Sequence, residues 1–430
     1  MERHRSKITA DSVVSVSSAV DKSGSSQNTI LFLGASSQQL APINYARQAG
    51  FKIITCDNRP HNPGHKLADC SYDISTTALQ DICDKAEEQE VDAVIAYGTD
   101  VGAPTAAWVS ERLGLNGNPY NAVITLTDKG KFRQFQKEKK HFTPKFLILN
   151  QERLKNEADL PAKILEELDL PLIIKPVDAS GSRGINRVHE KEQLQNALAL
   201  ATENSRSGDI IIEEMIPYIG YQICGEGFLH NGKIIFHAFA DEHFTPGISP
   251  PVGETFPSSA SEAQEQKAVG VLQDIFSTLG MRKGPFNFDL FYLPNGEVFV
   301  IEIGPRNGGN RMPEAIANAY GVDMIAATVE SALGNDVQLE RQWLRYSATY
   351  SVHSKKPGIF ERVEYDPKIQ PHIVNEQMFV KPGEKVQRFS QGSDMLGCLI
   401  LTFDSQDQMI SMMQDMDQLI QVLVNDEDIH

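Results

Sequence analysis

The sequence predicts a mixed fold, in which a parallel α/β domain is followed by domains of the α+β class. Near the amino terminus, short apolar strands alternate with helical segments, which is typical of a parallel sheet with helical connections. Further along, GPFNFDLFY and EVFVIEIG flank the turn Pro294-Asn295-Gly296 and predict an antiparallel hairpin. The two patterns occupy different parts of the chain, so we expect separate domains.

Length, charge and cysteine content limit the functional class. The 430 residues are enough for two or three domains, and their 41% hydrophobic and 23% charged content is ordinary for a soluble globular protein. A net charge of −17 argues against nucleic acid or an anionic membrane as the main partner, although a local basic pocket for an anion is compatible with it. The 5 cysteines are scattered without a C-x-x-C pair, which fits a reducing compartment. We therefore expect a cytoplasmic protein without a membrane span.

Changes in pattern divide the chain into four parts. Residues 1–27 are rich in Ser and lack an apolar signal-peptide core, so they predict a disordered tail. Residues 28–126 carry the alternating α/β pattern. Residues 127–335 combine helical segments with strands and hairpins. Residues 336–430 alternate short strands with turns and end in a Met-rich helical pattern, which predicts a small C-terminal α+β domain.

The first domain lacks the signature of a dinucleotide fold. Its first strand, TILFL, is followed by the single Gly34 and not by G-x-G-x-x-G, which argues against a nicotinamide cofactor. The loops at residues 34–37 and 97–100 follow strands and lie where such a sheet binds ligands, but they can equally be plain turns.

The middle of the chain carries two polar features that follow apolar segments. Asp128 precedes a helical pattern that begins with Lys129, and the strand LIIKP places Lys175 directly before the loop DASGSRG. A strand-end lysine beside a Gly/Ser loop offers a point charge and backbone N–H donors, which suit polyphosphate, although most such loops are ordinary turns. The Pro- and Gly-rich residues 244–257 are predicted to form a surface loop.

The hairpin carries the strongest candidates for chemistry. Asp289 and Glu302 lie on its paired strands, where two carboxylates are too costly to bury without a compensating cation. The following segment, GPRNGGNR, adds Arg306 and Arg311. A metal ion carrying phosphate would need both sets of groups. The alternative is a structural ion pair between Asp289 and one of the arginines.

Four motifs in this order resemble those of the ATP-grasp superfamily. They are Asp128-Lys129, LIIKPVDASGSRG, IIEEMI and FVIEIGPRNGG. The resemblance covers residues 29–334 and is of the carboxylate–amine ligase kind, which is related to L-amino acid ligases and carbamoyl-phosphate synthase. It implies a pre-ATP-grasp domain at residues 28–126 and a nucleotide held between a lid-bearing part, residues 127–215, and a metal-bearing part, residues 216–335.

The resemblance also implies the residues that bind the nucleotide. It assigns Lys129 and Lys175 to the α- and β-phosphates of ATP. The lid over the β- and γ-phosphates would consist of Ser180, Gly181, Ser182 and Gly184. The hinge whose backbone reads the adenine would consist of Glu213, Glu214, Met215 and Ile216.

For the chemistry itself, the resemblance assigns Asp289 and Glu302 to Mg²⁺, or Mn²⁺, because hard oxygen ligands and phosphates suit such ions. Arg306 would contact the transferred phosphoryl group. Arg311 would orient a substrate carboxylate by a bidentate contact.

Two positions depart from the family pattern. Gln222 stands where the family carries a ribose-binding acid after the hinge, and an amide can still bind a hydroxyl group. Gly304 stands where the family has a metal-binding asparagine two residues after the glutamate. One metal ligand is therefore missing unless Asn307, Asn310 or a water molecule replaces it.

The predicted function is an ADP-forming, ATP-dependent ligase that activates a carboxylate as an acyl phosphate and joins it to an amine. Its partners would be small-molecule carboxylates and amines, without nucleic acid or membrane, and a homodimer is the commonest assembly for such a chain. Two alternatives stay open. One is an ATP-grasp enzyme that activates bicarbonate or formate, and the other is a non-catalytic ATP-binding protein, to which Gln222 and Gly304 point.

Overall fold

A computed structural model describes residues 27–157, 159–246 and 248–425. The predicted disordered tail lies almost wholly outside these residues. The first domain is a parallel sheet in the order β3-β2-β1-β4, with helices between its strands, as the alternating pattern predicts. Its elements are β1 (Thr29–Leu33), α1 (Leu40–Gln48), β2 (Lys52–Cys56), β3 (Cys70–Tyr72), α2 (Leu79–Glu88), β4 (Ala93–Ala96) and α3 (Ala103–Leu113).

Two helices lead into a second, antiparallel sheet with the strand order β5-β8-β6-β7. The Asp128 side chain accepts a hydrogen bond from the Lys131 N–H at 2.9 Å and so caps the second of these helices, as predicted. The elements are α4 (Tyr120–Thr127), α5 (Lys129–Glu138), β5 (Phe146–Leu149), α6 (Gln151–Asn156), α7 (Leu160–Glu167), β6 (Leu172–Pro176), β7 (Asn186–Val188), α8 (Leu194–Glu203) and β8 (Ile210–Glu214).

The next segment supplies five strands of a large antiparallel sheet. The predicted hairpin is its β12–β13 pair, and α9 packs Leu272 and Phe276 into the same apolar core as Phe286 and Phe288 of β12. The elements are β9 (Ile219–His230), β10 (Lys233–His243), β11 (Gly253–Phe256), α9 (Glu262–Leu279), β12 (Gly284–Tyr292), β13 (Val298–Gly304), α10 (Met312–Tyr320) and α11 (Met324–Ala332).

The remaining residues extend that sheet and add a three-stranded one, β17-β15-β19. The large sheet runs β13-β12-β9-β10-β11-β14-β18-β16, so its hydrogen bonding continues across residue 336. The elements are β14 (Tyr346–Val352), β15 (Gly358–Tyr365), β16 (Ile373–Met378), β17 (Lys385–Val386), β18 (Gly397–Phe403), α12 (Gln406–Gln414), α13 (Met416–Leu419) and β19 (Ile420–Asn425).

Two local predictions need correction. The segment 244–257 is not all surface loop, because β11 is buried in the middle of the large sheet between β10 and β14. The Met-rich segment does not end as a helix, because its apolar residues after Leu419 pair with β15 as β19. Met409, Met413 and Met416 are buried in the core there.

Every helix among the described residues is too short or too polar to span a bilayer.

Candidate active site

Nine of the fifteen predicted site residues line one cleft of about 560 Å³ between the sheets. It is lined by the loop after β4, by α5 and β6 with the loop that follows, by β12 and β13, and by residues of the C-terminal part. Among the predicted residues, those that line it are Lys129, Lys175, Ser180, Gly181, Ser182, Gln222, Asp289, Glu302 and Arg306. The fold thus gathers side chains that are far apart in the sequence.

The acid pair is held by the strand register. Asp289 of β12 lies directly opposite Glu302 of β13, where side chains on one face approach closely. Burial, together with the nearby charge of Glu302, raises the pKa of Asp289. Burial also opposes ionisation of Glu302, but Lys129, whose Nζ lies 3.0 Å from Glu302 Oε2, outweighs it and lowers the pKa of Glu302. A cation bound beside the pair would favour the charged form of both carboxylates.

Lys175 is fixed by a buried ion-pair network that the sequence analysis did not identify. Its Nζ lies 2.8 Å from Glu213 Oε2, and Arg133 Nε lies 2.5 Å from Glu213 Oε1. The Glu213 side chain is only 2% exposed. Burial opposes its charge, but Arg133 and Lys175 together lower the pKa of Glu213 to about 2. The network holds the Lys175 ammonium at the edge of the cleft.

Replacing Glu213 by glutamine is expected to lower the free energy of unfolding by about 3–5 kcal/mol at pH 7, because two buried cations lose their counter-ion. The pKa of Glu213 is lowered on folding, so its contribution is complete above the ordinary value of 4.5 and is lost as the pH falls toward about 2. Urea unfolding at pH 7 and pH 3 should show the difference between variant and wild type shrinking at the lower pH.

The matched control is the next residue. Glu214 pairs with Lys145, whose side chain is 62% exposed. Glu214→Gln should therefore cost less than about 1 kcal/mol at either pH. Equal losses for the two variants would contradict a buried network centred on Glu213.

The loop after β6 combines backbone freedom with contact to the C-terminal part. Gly181 and Gly184 have positive φ angles of 65° and 73°, which favour glycine. Lys129 Nζ donates to the Ala179 carbonyl at 2.8 Å, and the Gly392 N–H donates to the Gly181 carbonyl at 3.0 Å. Residues 180–183 line the cleft, whereas Gly184 packs against the side chain of Asn204.

Arg306 enters the cleft beside the acid pair and is held by the first domain. Its Nε and Nη2 donate to the two carboxylate oxygens of Asp100 at 2.8 and 2.5 Å. This bidentate contact fixes the plane of the guanidinium group. The partner is therefore Asp100, from the loop after β4, and not Asp289. This loop is thus a part of the cleft and more than a turn.

Several other predicted site residues are engaged by neighbouring side chains. Arg311 does not line the cleft, because its guanidinium donates to Glu314 at 3.1 Å and to Asn375 at 2.6 Å. The side chains of Glu213 and Glu214 are occupied by ion pairs, and none of the predicted hinge residues 213–216 is among those that line the cleft. Gln222 donates to Glu242 Oε2 at 2.5 Å within the cleft.

Three further polar residues in the cleft were missed. Burial raises the pKa of Glu242, and it raises the pKa of Glu254 to about 7. Glu242 lies in β10 and Glu254 lies in β11, and neither strand carries a motif that marks a functional site. Asn287 lies two residues before Asp289, and that spacing on a strand was a signal that could have identified it.

The donor set fits Mg²⁺ bound together with phosphate. In the described part of the chain, no group of three or more His, Cys, Asp and Glu side chains is arranged to hold a metal ion. Two carboxylates, however, are what Mg²⁺ uses when substrate phosphates complete its coordination. Asp289 and Glu302 would hold the ion, and Lys129 and Lys175 would contact the phosphates.

Comparison with known proteins gives a match to the family model of the ATP-grasp domain over residues 168–314. A formate-dependent phosphoribosylglycinamide formyltransferase of Wolinella succinogenes is 25% identical over 334 residues, which are 77% of this chain and 83% of that protein. The uncharacterised protein y4rH of Sinorhizobium fredii is 24% identical over 245 residues, and this chain spans only 50% of its length.

Two solved structures share the fold. The L-amino acid ligase of Bacillus licheniformis superposes with a TM-score of 0.77 at 18% identity, covering 93% of this chain and 99% of that one. The biotin carboxylase domain of Hydrogenobacter thermophilus 2-oxoglutarate carboxylase, a dimer in complex with MgADP and bicarbonate, has a TM-score of 0.70 at 17% identity, covering 92% and 91%. The predicted resemblance to the ATP-grasp superfamily and the predicted fold class are confirmed, because residues 168–314 match the ATP-grasp domain and the chain shares its fold with these two solved structures.

Proposed function

We propose that this protein is an ATP-dependent ligase that activates a carboxylate as an acyl phosphate and joins it to an amine. The observation that carries the proposal is the juxtaposition of the acid pair Asp289–Glu302 with Lys129, Lys175 and Arg306 in one cleft. An acid pair suits divalent cations and the three basic groups suit phosphate, so together they suit a nucleoside triphosphate with its metal ion.

The two lysines, the loop after β6 and Arg306 would contact different parts of the triphosphate. Lys129 and Lys175 would contact the α- and β-phosphates, and residues 180–183 of the loop after β6 would cover the β- and γ-phosphates. Mg²⁺, or Mn²⁺, held by Asp289 and Glu302 would neutralise charge on the phosphate oxygens. Arg306, whose plane is fixed by Asp100, is placed to stabilise the transferred phosphoryl group.

The reaction would proceed in two steps. A carboxylate oxygen of the substrate attacks the γ-phosphorus, the bond to the bridging oxygen breaks, and ADP leaves. The amine nitrogen then attacks the carbonyl carbon of the acyl phosphate, the carbon–oxygen bond breaks, phosphate leaves, and the nitrogen gives up a proton. Closure of the loop 180–184 would exclude water, which otherwise hydrolyses the acyl phosphate.

Buried acids favour an amine as the second substrate. Glu242 and Glu254 line the cleft, and burial raises the pKa of each. A positively charged group bound beside them would favour the charged form of both carboxylates, and the ammonium form of an amine is such a group. Small-molecule substrates are the rule for ATP-grasp ligases, so we expect a small carboxylate and a small amine.

A second candidate activates bicarbonate or formate with the same ATP site. It is favoured by the likeness to a formate-dependent formyltransferase over 77% of this chain. The chemistry of the first step is unchanged, since formate and bicarbonate also present a carboxylate oxygen to the γ-phosphorus.

The test measures ADP release from ATP across a panel of carboxylates, each with and without a panel of amines, with bicarbonate and formate as separate arms. The ligase predicts ADP formation that needs a carboxylate and rises with one class of amine. Dependence on bicarbonate or formate alone would replace it by the second candidate. Tight ATP binding by calorimetry without any turnover would indicate a non-catalytic protein and contradict both.

A further inference from the structure

We propose that Asn287 supplies the metal-binding oxygen that this chain lacks at position 304. The inference rests on the proposed function, since it concerns the divalent cation of the same cleft. It assigns a role to a residue outside the family motifs, and it explains how the site tolerates a glycine in place of a ligand.

The strand register places four positions on one face of the hairpin. Asn287 pairs with Gly304 and Asp289 pairs with Glu302. Alternate residues of a strand point to the same side, so these four positions form two adjacent cross-strand pairs. Asn287, Asp289 and Glu302 all line the cleft. Three of these four positions therefore carry side-chain oxygen atoms, and the fourth, Gly304, carries none.

The amide of Asn287 fills the space above this fourth position. A Cβ atom built on Gly304 would lie 2.1 Å from Asn287 Oδ1, which is far inside van der Waals contact. Gly304 ends β13 and does not have a positive φ angle, so the close approach of Asn287 Oδ1, and not the backbone conformation, favours glycine there. A side chain at 304 and the present position of the Asn287 amide exclude each other. The Asn287 oxygen therefore occupies the space that a side chain at position 304 would take.

Asn287 Oδ1 is also unused by the protein. The atom is buried and has no hydrogen-bond partner. A buried polar atom without a partner costs free energy, and in a native site it indicates a missing ion or water. A hard divalent cation that binds Asp289 and Glu302 would satisfy this oxygen, because Mg²⁺ and Mn²⁺ prefer oxygen ligands.

The other two asparagines considered for this role are engaged elsewhere. Asn307 is fully buried, and its Oδ1 accepts a hydrogen bond from the Thr328 hydroxyl at 2.8 Å. Asn310 donates to Glu254 Oε1 at 2.9 Å, which turns its amide toward β11. Asn287 is the asparagine that shares a face with both carboxylates.

The experiment measures Mn²⁺ affinity by the electron paramagnetic resonance of free Mn²⁺, using the full chain with saturating ADP. Asn287→Ala is expected to weaken Mn²⁺ binding by about 10–100-fold, the range found for groups that support a bound metal. Calorimetry should show ADP affinity without metal unchanged within about twofold. Thermal unfolding checks that each variant is folded.

A reciprocal exchange provides the matched control. Asn287→Gly combined with Gly304→Asn moves the amide to the family position and should restore most of the Mn²⁺ affinity lost in Asn287→Gly. Gly304→Asn alone introduces the clash with Asn287 Oδ1 and should not tighten binding. If the double variant binds Mn²⁺ no better than Asn287→Gly, the exchange of positions is contradicted.

Two further outcomes would overturn the inference. Unchanged Mn²⁺ affinity in Asn287→Ala would exclude metal binding by this residue. An equal loss of ADP affinity with and without metal would indicate that Asn287 acts on Arg306 or on the nucleotide. If wild type itself binds neither ADP nor Mn²⁺ with ADP, the proposed function fails, and that result is visible before any variant is made.

Discussion

Replacing Glu302 by glutamine is expected to lower kcat/KM for ATP by about a thousandfold. The Lys129 Nζ lies 3.0 Å from Glu302 Oε2, and this contact lowers the pKa of Glu302 and favours its charged form. Loss of the carboxylate removes a metal ligand and the partner of Lys129. Metal-ion stabilisation of phosphoryl transfer contributes several kcal/mol, and each 1.4 kcal/mol is about tenfold in rate. Steady-state ADP formation at varied ATP and Mg²⁺ measures the effect, and Asp289→Asn should lose a similar factor.

Glu297 is the matched control for this substitution. It is an exposed carboxylate just after the turn of the same hairpin, where it contacts Asn295. Glu297→Gln should keep turnover within about twofold, as expected for a surface substitution. If Glu302→Gln and Asp289→Asn also keep wild-type turnover, the two carboxylates are only a salt-bridged part of the sheet.

The second large effect is expected at Arg306. Arg306→Ala should lower kcat by about 10²–10³-fold with a much smaller change in the KM for ATP, because its contact is made to the phosphoryl group in the transition state. Arg306→Lys should recover little of this loss, since an ammonium cannot make the bidentate contact to Asp100. Full progress curves over a range of ATP concentrations separate kcat from KM.

Asp100 provides the comparison for Arg306. Asp100→Asn leaves the guanidinium in the cleft but weakens the contact that orients it, so we expect a loss of about tenfold. If the two residues formed only a structural ion pair, both single variants would lower stability alike and neither would affect kcat more than KM. A double variant no worse than Arg306→Ala would support their action as a unit.

Much of the fold was predictable because its signals are local. The alternation near Thr29–Leu33 and the turn between β12 and β13 depend on residues close in sequence, and both are confirmed. The burial of β11 was not predictable, because its Pro- and Gly-rich surroundings are typical of a loop and only pairing with β10 and β14 makes it a strand.

The residues of the candidate site also divide into those that local sequence predicts and those that it does not. Asp289, Glu302 and Lys175 were identified because each follows or interrupts an apolar strand pattern. The partners that fix them come from distant segments: Arg133 and Glu213 hold Lys175, and Asp100 holds Arg306. Residue type and spacing cannot predict such contacts, because they depend on how the sheets approach each other. Arg311 was assigned to a substrate carboxylate from its place in the motif, but its guanidinium contacts Glu314.

The most direct measurement follows an oxygen atom from substrate to phosphate. The protein is incubated with ATP, Mg²⁺, an amine and the best carboxylate of the panel, labelled with ¹⁸O in both carboxylate oxygens. Phosphorus NMR then reads the isotope shift of the released phosphate. Formation of an acyl phosphate predicts one ¹⁸O in each phosphate released with ADP. Phosphate without ¹⁸O, formed while ADP accumulates in a carboxylate-dependent manner, would contradict the account.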